Sequence, residues 1–163
     1  MKWRTGIGQD SHRFEKEKGE KKCIVAGLLF EDAPGLDADS DGDVVFHAIC
    51  NAITSLTHVP ILGKIAIDLC QLQGITDSRI YLEEALKTLG AQTIEHVALT
   101  IEGQRPKFQK RADAMRQSVA SVMGLSLDQV GITFTSGDGL TSFGRGEGLM
   151  CYALITTKKE CCG

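Results

Sequence analysis

The sequence predicts an α+β fold in which helices pack on one face of a β-sheet. Three observations lead to this prediction. Strand-like and helix-like segments are interspersed along the chain, no internal repeat is present, and 163 residues are enough for one core but few for two. We therefore expect a single domain that spans residues 1–163.

The predicted strands are short apolar runs, several of them with alternating polar residues, and they cover residues 3–9, 23–30, 94–102, 130–136 and 149–157. Between the first two, the alternating charges of residues 15–22 are typical of a solvated hairpin tip. The predicted helices carry apolar residues at helical spacing and cover residues 44–57, 78–89 and 107–123. Ser40 and Asp43 have the spacing of a capping box before the first helix, while Pro106 and Gly124 are expected at the first turn and the C-cap of the third.

Composition and charge limit the possible partners. A formal net charge of -3 and a hydrophobic fraction of 42% are typical of a soluble globular protein, without the basic excess that nucleic acids or anionic membranes attract. No run approaches the roughly 18 apolar residues of a membrane span, and the N-terminus lacks the apolar core of a secretion signal. We expect a cytoplasmic protein with neither a nucleic-acid nor a membrane partner.

The six cysteines form no Cys-x-x-Cys pair, and Cys50 and Cys151 lie in apolar runs, so reduced, buried thiols are expected rather than disulfides.

Two short segments offer one carboxylate and two imidazoles to a divalent metal. Asp10 and His12 are two residues apart beside a predicted strand and would project from the same face. His47 lies near the start of the first predicted helix. A structural zinc site uses four protein ligands, whereas three ligands leave a position open for water or substrate. This set indicates a catalytic metal site, although a single histidine on a semi-apolar helix is also typical of a structural residue.

Three further segments contain groups suited to phosphate. Residues 135–139 combine two hydroxyls, two glycines and a carboxylate, which could hold phosphate oxygens and a hard cation such as magnesium. Arg145 lies between glycines, and Arg105 and Lys107 lie at a predicted helix start, where backbone amides favour anions. Each segment has an alternative interpretation as an exposed turn. The residues alone indicate a zinc-assisted phosphoryl-transfer or hydrolytic enzyme.

Over nearly its whole length, the chain resembles the 2-C-methyl-D-erythritol 2,4-cyclodiphosphate synthase family. The resemblance is carried, in the family's order and approximate spacing, by Gly8-Gln9-Asp10-Ser11-His12, Ser40-Asp41-Gly42-Asp43 with His47, Asp77-Ser78, Pro106-Lys107 and Gly144-Arg145-Gly146-Glu147-Gly148. It implies a mixed four-stranded sheet with helices on one face and a small hairpin. It also implies a homotrimer whose active sites lie between subunits.

The resemblance further implies a phosphorus-oxygen lyase of non-mevalonate isoprenoid biosynthesis. Such an enzyme cyclises 4-diphosphocytidyl-2-C-methyl-D-erythritol 2-phosphate by attack of the 2-phosphate on the β-phosphorus, and it releases CMP. By similarity, one zinc or other divalent transition metal per subunit is held by Asp10, His12 and His47. Magnesium or manganese would bind with the substrate diphosphate at Asp138. The implied catalytic residues are Asp39, Ser136 and Asp138.

The implied substrate-binding residues are spread over several segments and comprise Asp10, Ser11, His12, Asp39, Ser40, Ile61, Leu62, Gly63, Gly103, Gln104, Arg105, Pro106, Lys107, Phe108, Gln109, Thr135, Ser136, Gly137, Asp138, Ser142 and Arg145. Some positions depart from the family pattern. Asp39 replaces a histidine, and Ile61 replaces an aspartate that contacts the cytidine ribose. Gln9 and Ser142 replace phenylalanines near the trimer axis, and Asn51 replaces an aspartate in the first helix. The departures at Asp39 and Ile61 leave open a second hypothesis, a trimeric zinc-containing binding protein that senses a prenyl or nucleotide diphosphate.

Overall fold

The computed structural model describes residues 1–16 and 19–160 of the chain. Its strands are β1 (Lys2–Arg13), β2 (Lys22–Val25), β3 (Leu28–Pro34), β4 (Thr93–Glu102), β5 (Val130–Thr135) and β6 (Gly148–Lys159). Its α-helices are α1 (Val44–Thr57), α2 (Ala66–Gln73), α3 (Ser78–Lys87) and α4 (Ala112–Met123). Within the described residues, no helix is both long and apolar enough to cross a membrane.

The main sheet has four strands in the order β1-β6-β4-β5. β6 runs antiparallel to both β1 and β4, whereas β5 runs parallel to β4. β2 and β3 form a separate antiparallel hairpin. The mixed four-stranded sheet, the helices and the small hairpin confirm the predicted fold class.

One face of the main sheet is buried under the helices. Along β6, Cys151, Ala153 and Ile155 are fully buried, and they alternate with Tyr152 and Leu154, which are 44% and 41% exposed. This alternation is expected when only one face of a sheet packs on a core. Helix α1 packs on β1 and β6, and α4 packs on β5.

Two glycines of β1 allow α1 to approach the sheet closely. A Cβ atom at Gly6 would lie 2.3 Å from the carbonyl oxygen of Ala52, and one at Gly8 would lie 2.2 Å from that of Ala48. No other residue type fits at such distances. This close packing brings the first turn of α1, with His47, next to the end of β1.

Asp43, which is fully buried, is the N-cap of α1. Its Oδ1 accepts hydrogen bonds from the backbone N–H groups of Val45 and Phe46, at 3.0 and 3.2 Å. The same carboxylate accepts from Ala26 and Gly27, at 2.9 and 2.6 Å, and so ties the β2–β3 turn to the helix. The predicted capping box with Ser40 as N-cap is therefore wrong, because Asp43 itself directly precedes the helix.

The buried carboxyl of Asp43 predicts a pH dependence of stability. Burial, assisted by the negative charge of Asp41, raises the pKa of Asp43 from 3.8 to about 7, although backbone N–H donors partly oppose this. A pKa that is higher in the folded state means that the contribution to stability is complete below about pH 4 and is lost as the pH rises through 7. We compare the free energy of unfolding of the wild type with that of Asp43→Asn. We expect the wild-type value minus the variant value to decrease as the pH rises from 4 to 7. Urea denaturation in the presence of a chelator measures both, and a difference that stays constant or rises would contradict the assignment.

Several predicted elements differ in the structure. Residues 23–30 form a hairpin rather than one strand, because Ala26 and Gly27 have φ values of 53° and 72° and turn the chain. β1 pairs with β6 and β2 with β3, so β1 and β2 do not form the hairpin that the charges of residues 15–22 predicted. Residues 17 and 18 of that predicted tip lie outside the described residues. The third predicted helix starts later: a cis Arg105–Pro106 bond and a 3₁₀ turn over Phe108–Arg111 precede α4. A π-helical turn over Ile61–Ile65, followed by α2, was not predicted.

Candidate metal centre and active site

The structure brings together the carboxylate and the two imidazoles that were predicted to bind a metal. Asp10 and His12 lie on β1, and His47 lies in the first turn of α1. Nε2 of His12 is 2.9 Å from Oδ2 of Asp10. Nδ1 of His47 is 3.2 Å from the same oxygen and 3.3 Å from Nε2 of His12. We call these three residues the triad.

The triad fits a divalent metal ion. A tetrahedral metal about 2.1 Å from each donor would hold the donors about 3.4 Å apart, so the observed separations of 2.9 to 3.3 Å need shifts of about 0.5 Å or less. One carboxylate and two imidazoles leave the fourth position for a further ligand. The side chains of Asp10 and His12 remain 19% and 21% exposed, so a molecule in the adjoining pocket could supply that ligand.

Asp10 and His12 shift each other's pKa. Burial opposes the charge of Asp10, but hydrogen bonds from His12 and His47 outweigh this effect and lower the Asp10 pKa to about 2. Burial also opposes the charge of His12, but the hydrogen bond to Asp10 outweighs it and raises the His12 pKa. Asp10 is therefore an anion at neutral pH. Protons compete with metal at His12, which must be neutral to act as a ligand.

The triad opens into a pocket of about 240 Å³. The polar groups of its lining come from Asp39, which is exposed, Ser40 and Gln71. Its apolar lining comes mainly from Leu62, Ala66, Ile67 and Cys70. Tyr81 also lines the pocket, and its ring is stacked on that of His47 at 6.1 Å between centroids. Ile61 belongs to the core and is 1% exposed, so its side chain lies outside the pocket, in contrast to that of Leu62.

A second group of predicted site residues lies where β4 and β5 end. These strands are parallel, so their carboxyl ends meet at one edge of the sheet. The backbone N–H of Gly103 donates to the carbonyl oxygen of Thr135 at 3.0 Å and joins the segments 103–109 and 135–138. The backbone N–H of Lys107 donates to Oδ2 of Asp32 at 2.9 Å, which fixes the segment after the cis Pro106 bond against the hairpin.

Asp138 lies in the exposed turn after β5. Its φ of 45° is in the left-handed region, and its Oδ1 accepts a hydrogen bond from Oγ of Ser136 at 2.9 Å. Glu102, a residue that the sequence did not single out, supports this turn. Its Oε1 accepts a hydrogen bond from Thr141, and a Cβ atom at Gly137 would lie 2.3 Å from the same oxygen. Only its position at the end of a predicted strand could have drawn attention to Glu102.

The two groups line different parts of the surface of one chain. Among the described residues, none from 103–109 or 135–138 lines the triad pocket. Ser11 and Ser142 line a neighbouring pocket together with His12. The guanidinium of Arg145 donates to Oγ of Ser142 at 3.0 Å and to Oε1 of Glu147 at 2.9 Å. The predicted site residues are thus brought together in part, with His12 shared by the two neighbouring pockets.

Comparisons with known proteins agree with the fold. A model of the YgbB family matches residues 3–158. Relatives from Chlamydia felis and Chlamydia muridarum, each named 2-C-methyl-D-erythritol 2,4-cyclodiphosphate synthase, are 58% and 52% identical over 160 residues, which is 98% of this chain and 91% and 90% of theirs. The bifunctional IspDF of Campylobacter jejuni has the same fold, with a TM-score of 0.86, 24% identity and coverage of 98% of this chain and 43% of that chain. A solved 2C-methyl-D-erythritol-2,4-cyclodiphosphate synthase in a CDP-bound form is 28% identical, with a TM-score of 0.78 and coverage of 95% and 100%. The chain belongs to the YgbB family, together with these cyclodiphosphate synthases.

Proposed function

We propose that this protein cyclises 4-diphosphocytidyl-2-C-methyl-D-erythritol 2-phosphate to 2-C-methyl-D-erythritol 2,4-cyclodiphosphate and releases CMP. The observation that carries the proposal is the triad of Asp10, His12 and His47, with donors 2.9 to 3.3 Å apart, in a chain 58% identical to a relative named for this reaction. In the reaction, an oxygen of the 2-phosphate forms a bond to the β-phosphorus. The bond between that phosphorus and the bridging oxygen breaks, and CMP leaves with the electron pair.

We propose zinc, or another divalent transition metal, at the triad and magnesium or manganese with the diphosphate at Asp138. When bound, these ions would neutralise and polarise phosphate oxygens. The chain's own contribution is positioning and electrostatics. Lys107 and Arg145 supply cations for the diphosphate. Ser136, which is hydrogen bonded to Asp138, would direct its hydroxyl to a phosphate oxygen once Asp138 binds the second ion.

We propose a homotrimer in which neighbouring subunits complete each site. Two observations support it. The outer face of the main sheet exposes Ile7, Tyr152 and Leu154, at 58%, 44% and 41%, and apolar residues of this size are expected to pack against another subunit. In addition, residues 103–109 and 135–138 do not line the triad pocket of their own chain. Cytoplasmic localisation stays a prediction from the sequence.

Incubation with the cytidylylated 2-phosphate substrate, followed by phosphorus NMR, tests the proposal. We expect the signals of the linear diphosphate to be replaced by those of a cyclic diphosphate and CMP. The matched control is the same molecule without its 2-phosphate, which lacks the nucleophile and should remain unchanged. Binding of the substrate without conversion would support the alternative of a diphosphate-binding protein, which the residues Asp39 and Ile61 motivate.

Asp39→Asn tests whether the charge of Asp39 weakens the binding of anionic ligands in the pocket. Asp39 is exposed and lines the triad pocket, where its charge would repel a bound diphosphate. Two like charges about 4 Å apart in water repel by about 1 kcal/mol, so we expect Asp39→Asn to bind CDP roughly fivefold more tightly. Titration calorimetry with CDP measures the change, and cytidine, which has no phosphates, is the control ligand. Equal affinities of the two proteins for CDP would show that the Asp39 carboxylate does not face the phosphates.

A further inference from the structure

A buried hydrogen-bond chain runs from His47 away from the other two triad residues. Oγ of Ser78 lies 2.8 Å from Nε2 of His47, and the hydroxyl of Ser78 is also hydrogen bonded to Oδ1 of Asp41. Ser78 is fully buried at the start of α3, and His47 is 6% exposed. The other ring nitrogen of His47, Nδ1, faces Asp10 and His12.

The chemistry of the three groups fixes the direction of this chain. Asp41 accepts backbone N–H bonds from Ser78 and Asp43, both at 3.0 Å, and a carboxylate surrounded by donors acts as an acceptor. The Ser78 hydroxyl therefore donates its proton to Asp41. Its oxygen can then only accept from Nε2–H of His47, which leaves the lone pair of the ring on Nδ1.

We propose that Asp41 and Ser78 are positioning residues that hold His47 in the tautomer that binds metal through Nδ1. The inference rests on the proposed metal role of the triad and adds residues that it does not include. Histidine ligands generally donate their second N–H to a fixed acceptor, which sets the tautomer and the ring orientation. Here a serine hydroxyl is that acceptor, and a carboxylate orients the hydroxyl.

Other contacts of His47 agree with this role. Tyr81 stacks on the ring with an interplanar angle of 26° and limits its tilt. Ser40 is a weaker partner, because its Oγ is 3.4 Å from Nε2 and also accepts from the backbone N–H of Gly42. The carbonyl oxygen of Thr76 accepts from the N–H of Asp41 at 2.8 Å, so the start of α3 and the loop before α1 are joined at this point.

The neighbouring Asp77 provides a matched control. Asp77 is the N-cap of α3, and its Oδ1 accepts the N–H of Arg79 at 2.9 Å, without any contact to His47. Asp77→Ala therefore weakens the start of the helix and leaves the hydrogen-bond chain intact. Ser78→Ala removes the chain, whereas Ser78→Thr keeps the hydroxyl.

Zinc affinity, measured by competition with a chromophoric chelator on the folded full-length variants, tests the proposal. We expect Ser78→Ala and Asp41→Asn to bind zinc about 10- to 100-fold more weakly than the wild type, as is typical for the loss of such partners. Asp77→Ala and Ser78→Thr should stay within about threefold of it. Zinc affinity of Ser78→Ala equal to that of the wild type, or an equal loss in Asp77→Ala, would overturn the proposal.

Nitrogen-15 NMR of the zinc-loaded wild type gives a second test that needs no variant to fold. We expect His47 to carry its proton on Nε2 and its metal on Nδ1, and zinc bound through Nε2 would overturn the proposal. The outcomes separate this inference from the proposed function. A protein that binds zinc through Nδ1 but does not turn over the substrate keeps the inference and loses the function. If the wild type turns over the substrate but Ser78→Ala binds zinc as tightly as the wild type, the proposed function is kept and this inference is lost.

Discussion

We expect His47→Ala to lose its bound metal and its turnover together. His47 supplies one of three donors that lie within 3.3 Å of each other, and no other histidine, cysteine or acidic residue among the described part of the chain belongs to this group. Loss of an outer-shell partner typically lowers metal affinity roughly 10- to 100-fold, so loss of a ligand should exceed about 100-fold. Metal analysis and the phosphorus NMR assay measure the two losses.

His12→Ala should behave in the same way, and it is the safer variant because the His12 side chain is partly exposed. His96→Ala is the control, since His96 is an exposed histidine on β4 and lies outside the triad. Circular dichroism checks that the fold is retained. Full metal occupancy in both triad variants would remove the metal assignment and, with it, most of the proposed mechanism.

The second large effect is expected for Asp138→Ala, which should keep the metal at the triad but lose turnover. Asp138 is exposed, is not a member of the triad and does not line its pocket. We propose that it holds a second cation, which would stabilise charge on the diphosphate. Loss of one such electrostatic contact typically slows catalysis by about 100- to 1,000-fold. Turnover at saturating substrate, with zinc content measured on the same sample, separates the two sites.

Asp128→Ala is a matched control for Asp138→Ala. Asp128 also lies in an exposed 3₁₀ turn and also accepts a hydrogen bond from a serine two residues earlier, Ser126. Asp128→Ala should leave turnover unchanged. If Asp138→Ala loses zinc as well as activity, or keeps full activity with magnesium present, the assignment of Asp138 to a separate cation is wrong.

Local patterns were sufficient to predict much of the fold and the triad. The alternation of a strand places Asp10 and His12 on one face, and the apolar spacing of α1 matches its observed bounds, Val44–Thr57. The metal site follows because its three ligands lie close to the ends of these two elements. In each case the signal is contained within one strand or one helix, of 12 and 14 residues.

Contacts between distant segments were not predictable. The approach of α1 to β1 depends on Gly6 and Gly8, which carry no periodic signal. Asp43 caps α1 and also binds the Ala26–Gly27 turn, a tertiary contact at the point where one predicted strand is a hairpin instead. The π-helical turn and α2 escaped prediction because Gly63 interrupts the helix with a φ of -112° and a ψ of -123°. Ser78 and His47 meet only in the folded chain, 31 residues apart.

The central claim is that the nucleophile belongs to the substrate, and turnover in water enriched in oxygen-18 tests it most directly. The proposed reaction consumes no water, so mass spectrometry of the cyclic diphosphate and CMP should find no oxygen-18 above natural abundance. Enrichment of either product, or accumulation of the uncyclised 2,4-bisphosphate, would show that water attacks the phosphorus. The protein would then be a hydrolase and not a cyclase.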